Sequence, residues 1–257
     1  MSAAASPAHE LVRAGDRKSA MHWARLVPYD TGRFPFARVI AEDVFGTGGL
    51  EDLHRLLGAA RPGRPLTHGD NFEQRGRIAA LGDDSRFYAV YHAFVLEVVA
   101  PLFAGRISYS RHPTFRVHFP GTGAVSDWHR DADVTGRWDQ INVWVPFVDT
   151  AGTSTIWVES HYGRGDHAPV PVRYGQALLF DGGALSHGSV RNDTAVTRVS
   201  MDLRIAPMPS ESPHPDLGIL ALRPPGLHAP GPPAATNGAG GGMMAAGADP
   251  ARAPAMG

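Results

Sequence analysis

Val196-Thr197-Arg198-Val199-Ser200-Met201-Asp202-Leu203-Arg204-Ile205 changes character at every step. On an extended backbone, residues two apart share a face. Val196, Arg198, Ser200, Asp202 and Arg204 therefore fall on one side, and Thr197, Val199, Met201, Leu203 and Ile205 on the other. A period of two held this long predicts a β-strand with an apolar face toward a core. A charged opposite face is ordinarily solvated. Its alternative use is to line a polar site. Upstream, short β-rich runs at 114–119, 140–148, 154–158, 168–173, 176–180 and 186–190 are separated by Gly, Pro and Asp. Many short strands with turn signals predict a sandwich or barrel, and a jelly roll fits best.

Before residue 107 the period is helical. Leu50, Leu53, Leu56 and Leu57 form one stripe over 49–60; Phe87, Val90, Tyr91, Phe94, Val98 and Leu102 form another over 84–103. Asp83, Asp84 or Ser85 can cap the second helix. The segment 21–40 mixes aromatics with Pro28, Gly32 and Pro35 and reads as irregular or as short strands. The expected fold is mainly β with N-terminal helices, a double-stranded β-helix (jelly roll). One domain spans 21–206, with a helical part at 48–104 and a jelly-roll core at 107–205. Residues 1–20 read as a flexible N-terminus. Residues 207–257, rich in Pro, Gly and Ala, read as a largely disordered tail, with 217–222 able to pack back.

Composition narrows the chemistry. The 257 residues suit one domain with a sizeable core. A net charge of −1 and the absence of any basic block argue against nucleic acid. With no cysteine, disulfides, thiolate metal sites and cysteine nucleophiles are excluded, so a metal must sit on His, Asp or Glu. No apolar run spans a bilayer and the first twenty residues lack a secretion signal's apolar core, so the default expectation is a cytoplasmic protein. The oligomeric state is not legible.

His129-Arg130-Asp131 is a His-X-Asp triplet following Trp128. Two side chains at that spacing can present an imidazole and a carboxylate to one point, and His187, at the start of another predicted strand, can supply a third ligand. Two His and one carboxylate form the facial triad of non-haem Fe(II) oxygenases, which leaves coordination positions open. The triplet alone is weak, because 13 histidines make chance pairs common. Arg198-X-Ser200 adds weight: a guanidinium holds a carboxylate through two hydrogen bonds, and a hydroxyl adds a third.

His-X-Asp, then His, then Arg-X-Ser resembles the Fe(II)/2-oxoglutarate-dependent oxygenase superfamily. The resemblance is strong over 107–205. Ser160-His161 stands where phytanoyl-CoA-hydroxylase-like members carry Pro-Gly-Ser-His, and Gly175 to Gly182 followed by Leu185-Ser186-His187-Gly188 is similar to the family's turn and strand before its distal His. The details look closest to the aminoglycoside-biosynthesis branch of the streptomycin and hygromycin cluster type. The resemblance implies iron on His129, Asp131 and His187, and 2-oxoglutarate and O2 as co-substrates. It also implies that Arg198 and Ser200 hold the distal carboxylate of 2-oxoglutarate. The reaction implied is oxidation of an unactivated C–H by hydroxylation or oxidative ring closure.

Further candidates each carry a plain alternative. Asn142 is a candidate donor to 2-oxoglutarate. Arg116 and His118 share a strand face and either line the pocket or are solvated. Trp128 and Trp138 either wall the site or pack the core. Among the acidic residues near the motif (Asp127, Asp133, Asp139, Asp149, Glu159, Asp181 and Asp202), turn chemistry explains most. Glu159 and Asp181 are the preferred contacts for a cationic aminosugar. The rival readings are an amino-acid or other natural-product hydroxylase of the same superfamily, a cupin-type metal-binding isomerase, and a zinc hydrolase. The last two leave Arg198 and Ser200 without a role.

Overall fold

The computed structural model describes residues 24–103, 106–138 and 140–207, together with a short strand β1, Glu10–Leu11. The rest of the expected flexible N-terminus, and the expected tail from 208 onward with its run at 217–222, lie outside the described residues. After β1 come β2 (Arg25–Pro28), α1 (Phe36–Ile40, continued by a π-helical turn to Phe45), α2 (Leu53–Ala60), α3 (His68–Ala79) and α4 (Arg86–Phe94, extended to Leu102). The second half holds β3 (Ile107–Tyr109), β4 (Thr114–His118), α5 (Asp131–Thr135), β5 (Ile141–Pro146) and β6 (Ile156–Val158). It ends with β7 (Ala168–Val170), β8 (Gln176–Phe180), β9 (His187–Gly188) and β10 (Arg198–Pro207).

All strand pairs are antiparallel. The larger sheet runs β1-β2-β8-β5-β10-β3, with β4 also on β10; the smaller runs β7-β6-β9. β10 is the hub: its first half pairs with β4, its end with β3, and its other edge with β5 over Ser200 to Ile205. The apolar face expected of 196–205 is real. Val199, Met201, Leu203 and Ile205 are buried with Val143, Val145 and Leu179 against the helical layer, where Phe36 and Phe87 also pack. On the other side, Trp144, Leu178 and Phe180 of the larger sheet meet Ile156, Val158 and Val170 of the smaller. The fold is thus mainly antiparallel β with N-terminal helices, layered as helices, large sheet and small sheet; no closed barrel forms among the described residues. The functional face of β10 looks into the gap between the sheets.

The structure corrects several expectations in the first half. Of the segment 21–40, Arg25–Pro28 is a short strand as expected, but Phe36–Ile40 is helical rather than irregular. Leu56 is half exposed, so the stripe of α2 is narrower than its leucines imply. In α4 Ser85 caps the helix, but the π-helical turn Val95–Val99 rotates the buried face from Val98 onto Val95 and Val99. α3 has no apolar stripe to announce it. It starts at a capping box, in which the Thr67 backbone N–H donates to Asp70 Oδ2 at 2.7 Å. It docks by hydrogen bonds: Asn71 Nδ2 donates to Thr122 Oγ1 (2.9 Å), and Asn71 Oδ1 accepts from the Phe119 N–H (2.9 Å). No helix among the described residues is long and apolar enough to cross a membrane.

Candidate metal centre

His129 and His187 sit opposite each other in an isolated antiparallel bridge, each backbone N–H donating to the other's carbonyl (3.0 and 2.9 Å). Arg130 is extended, so Asp131 points the same way as His129; Asp131 itself opens the short helix α5 rather than continuing a strand, a departure from the extended reading of the triplet. Its N–H donates to the Gly182 carbonyl (2.9 Å). The ligand-type atoms of His129, Asp131 and His187 lie within 4.8 Å of one another. Asp131 Oδ1 is 3.3 Å from His129 Nε2 and 3.9 Å from His187 Nε2.

The donor chemistry suits a divalent metal. His129 Nδ1 is 2.7 Å from the Asp127 carbonyl, and His187 Nδ1 is 2.9 Å from the Leu185 carbonyl. In each case Nδ1–H donates, which leaves Nε2, facing Asp131, as the nitrogen that can ligate once it carries no proton. Burial pushes His187 down to about 4, so this imidazole is neutral and ready to ligate. Burial alone would raise Asp131, but hydrogen bonds from His129 and Arg204, with the nearby positive charges, hold it well below the usual carboxylate range. The hydrogen bond to Asp131 raises His129 above its ordinary value. A metal must displace that proton, so metal affinity is expected to fall as the pH drops through the raised His129 value. Anaerobic titration across pH reads this directly.

Two side chains hold the carboxylate in place. Arg204 donates through Nε to Asp131 Oδ2 (2.8 Å) and through Nη2 to Oδ1 (2.9 Å); Asn142 Nδ2 donates to Oδ2 (2.7 Å). Arg204 and Asn142 are cross-strand neighbours on β10 and β5. Asn142, expected to face 2-oxoglutarate, uses this donor on the metal ligand instead. Arg204 was legible as a member of the charged face of 196–205, but nothing local pointed it at Asp131. A Cβ at Gly182 would lie 2.5–2.7 Å from the Asn142 amide. Gly182→Ala is therefore expected to dislodge Asn142 and weaken iron(II) binding by about 10- to 100-fold, as loss of an outer partner does, measured by the same titration.

Beside the triad opens a recess of about 390 Å³ lined by Arg116, Trp144, Ile156, Arg198 and Asp202, with His129 and His187 at its base. Arg198 is buried; its Nη1 reaches only the carbonyls of Ser154 (3.4 Å) and Thr155 (3.3 Å). Among the described residues it meets no carboxylate. Its Nε and the Ser200 hydroxyl are buried without a hydrogen-bond partner. Burial pushes the guanidinium down to about 9, still a cation at neutral pH. Asp202, whose Oδ1 is likewise unpartnered, is pushed up to about 6 by burial. The charged face of β10 is thus turned inward.

Other candidates fall elsewhere. Glu159 is buried and accepts backbone N–H groups from Gly165 (3.0 Å) and Ser186 (2.7 Å); Asp181 is buried and accepts from Tyr162 Oη (2.9 Å). Neither lines the recess, which corrects their expected role as substrate contacts: both brace the loops around β9. His118 is buried beside Arg198, with Nε2 on the Thr122 carbonyl (3.3 Å) and its ring pushed down to about 3 by burial; it supports the recess rather than lining it. Trp128 stacks on His167 (3.9 Å between ring centroids) and stays 45% exposed, beside the site rather than in the core. The acidic group that does face the recess is Asp202.

No protein-family model matches the chain. It is 33% identical over 187 residues, 72% of its own length and 86% of the relative's, to the streptomycin biosynthesis protein StrG of Streptomyces griseus. Among solved structures, a non-heme monooxygenase, ThoJ in its apo form, is similar with a TM-score of 0.47 and 16% identity over 71% of this chain and 74% of that one. EvdO2 from Micromonospora carbonacea var. aurantiaca, complexed with 2-oxoglutarate, has a TM-score of 0.41 and 13% identity over 81% and 97%.

Proposed function

Because this chain belongs to the family of the streptomycin biosynthesis protein StrG, we propose that it is an Fe(II)/2-oxoglutarate-dependent oxygenase acting on a small molecule of antibiotic biosynthesis. His129, Asp131 and His187 hold the iron, and the gap between the two sheets is the mouth of a double-stranded β-helix. The observation that carries the reading is Arg198: a buried guanidinium that among the described residues meets no carboxylate, beside an unpartnered Ser200 hydroxyl, in the recess that His129 and His187 also line. Burying an uncompensated cation is costly, and a carboxylate from 2-oxoglutarate relieves that cost. A cupin-type isomerase or a zinc hydrolase would leave both groups idle.

Bound iron supplies the reaction of O2 with 2-oxoglutarate and the oxidation of an unactivated substrate C–H, by hydroxylation or oxidative ring closure. The protein's share is geometry. Arg204 and Asn142 keep the Asp131 carboxylate oriented, and the Nδ1 hydrogen bonds keep both imidazoles in the ligating tautomer. Arg198 and Ser200 fix the far carboxylate of the co-substrate, while Trp144 and Ile156 wall the recess and exclude water. Asp202 offers a carboxylate to an amino group, which favours an aminoglycoside-type intermediate over an amino acid or a lipid.

The test is anaerobic addition of Fe(II) and 2-oxoglutarate to metal-free protein. A visible charge-transfer band of the chelated 2-oxo acid is expected in wild type and absent from His129→Ala. Folded, iron-loaded wild type without a band would discard the oxygenase reading.

A further inference from the structure

We propose that the substrate carries a phosphate monoester, seated between Arg75 and Arg116; that this molecule is the one oxidised rests on the oxygenase reading above. Arg116 lies on β4 directly across from Ser200 and lines the metal recess. It also lines a second, open recess, together with Asn71, Phe72, Arg75 and Val125. Arg116 is the residue common to both linings, so it touches an anionic group held there on one side and the recess beside the metal ligands on the other.

Among the described residues the Arg116 side chain hydrogen-bonds the Phe115 carbonyl (3.2 Å), and neither Arg75 nor Arg116 forms a salt bridge. Neighbouring arginines of the helical layer are paired: Arg61 with Asp70 and Glu73, and Arg86 with Glu42 and Asp43. Burial pushes Arg116 below its ordinary value, and the nearby charge of Arg75 adds to this against Asp202. Two guanidiniums that line one recess can share an oxyanion.

The charge inventory selects the class. Among the residues lining the two recesses, Arg75, Arg116 and Arg198 face the single carboxylate of Asp202, an excess of two positive charges, while Arg204 and Asp131 pair with each other. Divalent iron and dianionic 2-oxoglutarate cancel each other and leave that excess in place. A phosphate monoester, close to dianionic above its second pKa of about 6, balances it; a single carboxylate balances half. The half-exposed ring of Phe72 supplies an apolar wall beside the anion.

The experiment is calorimetric titration of glucosamine 6-phosphate, glucosamine and glucuronic acid into metal-free protein, repeated with Fe(II) and 2-oxoglutarate under anaerobic conditions. Glucosamine 6-phosphate is expected to bind at least about tenfold more tightly than glucosamine. Arg75→Gln and Arg116→Gln should each weaken it about 10- to 100-fold, as loss of a charge-assisted contact does, and Arg75→Lys should restore part of the loss. Thermal melts of each variant identify any that fail to fold, and the two substitutions at the partly buried Arg75 keep the test open if Arg116→Gln does. Equal binding of the two aminosugars, or phosphate binding that survives both glutamine substitutions, overturns the proposal. Glucuronic acid binding as tightly, with the same arginine dependence, overturns the phosphate in favour of a carboxylate. The charge-transfer band separates the two readings. Phosphate preference without a band sinks the oxygenase reading alone, and a band without phosphate preference sinks this proposal alone.

Discussion

His187→Ala is expected to abolish iron(II) binding and 2-oxoglutarate turnover while leaving the fold in place. The expected loss far exceeds the roughly 10- to 100-fold drop typical of losing an outer partner, because one of three ligands disappears. The fold survives because the bridge to His129 is made by backbone groups, which alanine retains. The ring packs edge-on against Phe180 at 5.0 Å, so its removal leaves a small void and a modest fall in melting temperature. Equilibrium dialysis with iron(II), alongside circular dichroism melts, separates the two effects. Iron retained at wild-type affinity in the folded variant would remove His187 from the ligand set. Asp131→Asn makes a sharper companion. It keeps the shape but removes the charge that Arg204 grips at 2.8 and 2.9 Å, so metal loss and destabilisation should arrive together.

Arg198→Leu should move two observables in opposite directions. Binding of 2-oxoglutarate to the iron-loaded protein is expected to weaken by about tenfold to more than a hundredfold, the worth of charge-assisted contacts to one carboxylate. Melting of the ligand-free protein is expected to rise or hold steady. The substitution removes a buried cation that meets no carboxylate and gives up only two long bonds, at 3.3 and 3.4 Å, to backbone carbonyls. A purely structural arginine predicts the reverse: lower stability and unchanged affinity for 2-oxoglutarate. Calorimetry on the loaded protein and scanning fluorimetry on the free protein decide between them. Ser200→Ala, removing the neighbouring unpartnered hydroxyl, should produce the same pattern at smaller amplitude.

How much of this was legible differs from element to element. The strand at 196–205 announced itself because a half-buried strand writes its two environments into alternate residues. The convergence of His129, Asp131 and His187 was legible because His129 and Asp131 are close in sequence and the chemistry of a facial triad restricts the choice of a third. α3 was not, since His68–Ala79 is polar with two glycines and docks through Asn71, Gln74 and Ile78 rather than along an apolar stripe. Hydrogen bonds to partners about fifty residues away leave no periodic trace. The acidic residues around the motif were equally opaque. Composition could not say that Glu159 and Asp181 spend their oxygens on loop backbone and Tyr162 while Asp202 faces the recess.

The sequence by itself determined a mainly β domain with N-terminal helices, a cysteine-free set of candidate metal ligands, and a strand face that places Arg198 and Ser200 side by side. Only the tertiary structure decided that Arg204 and Asn142 both grip Asp131, that Arg116 bridges two recesses, and that the cations there outnumber the carboxylates. Local pattern reports which face of its own strand a residue occupies. Which groups from separate strands converge depends on β10's register against β4 and β5, and a slip of one residue there would send every charge of the site to the opposite face.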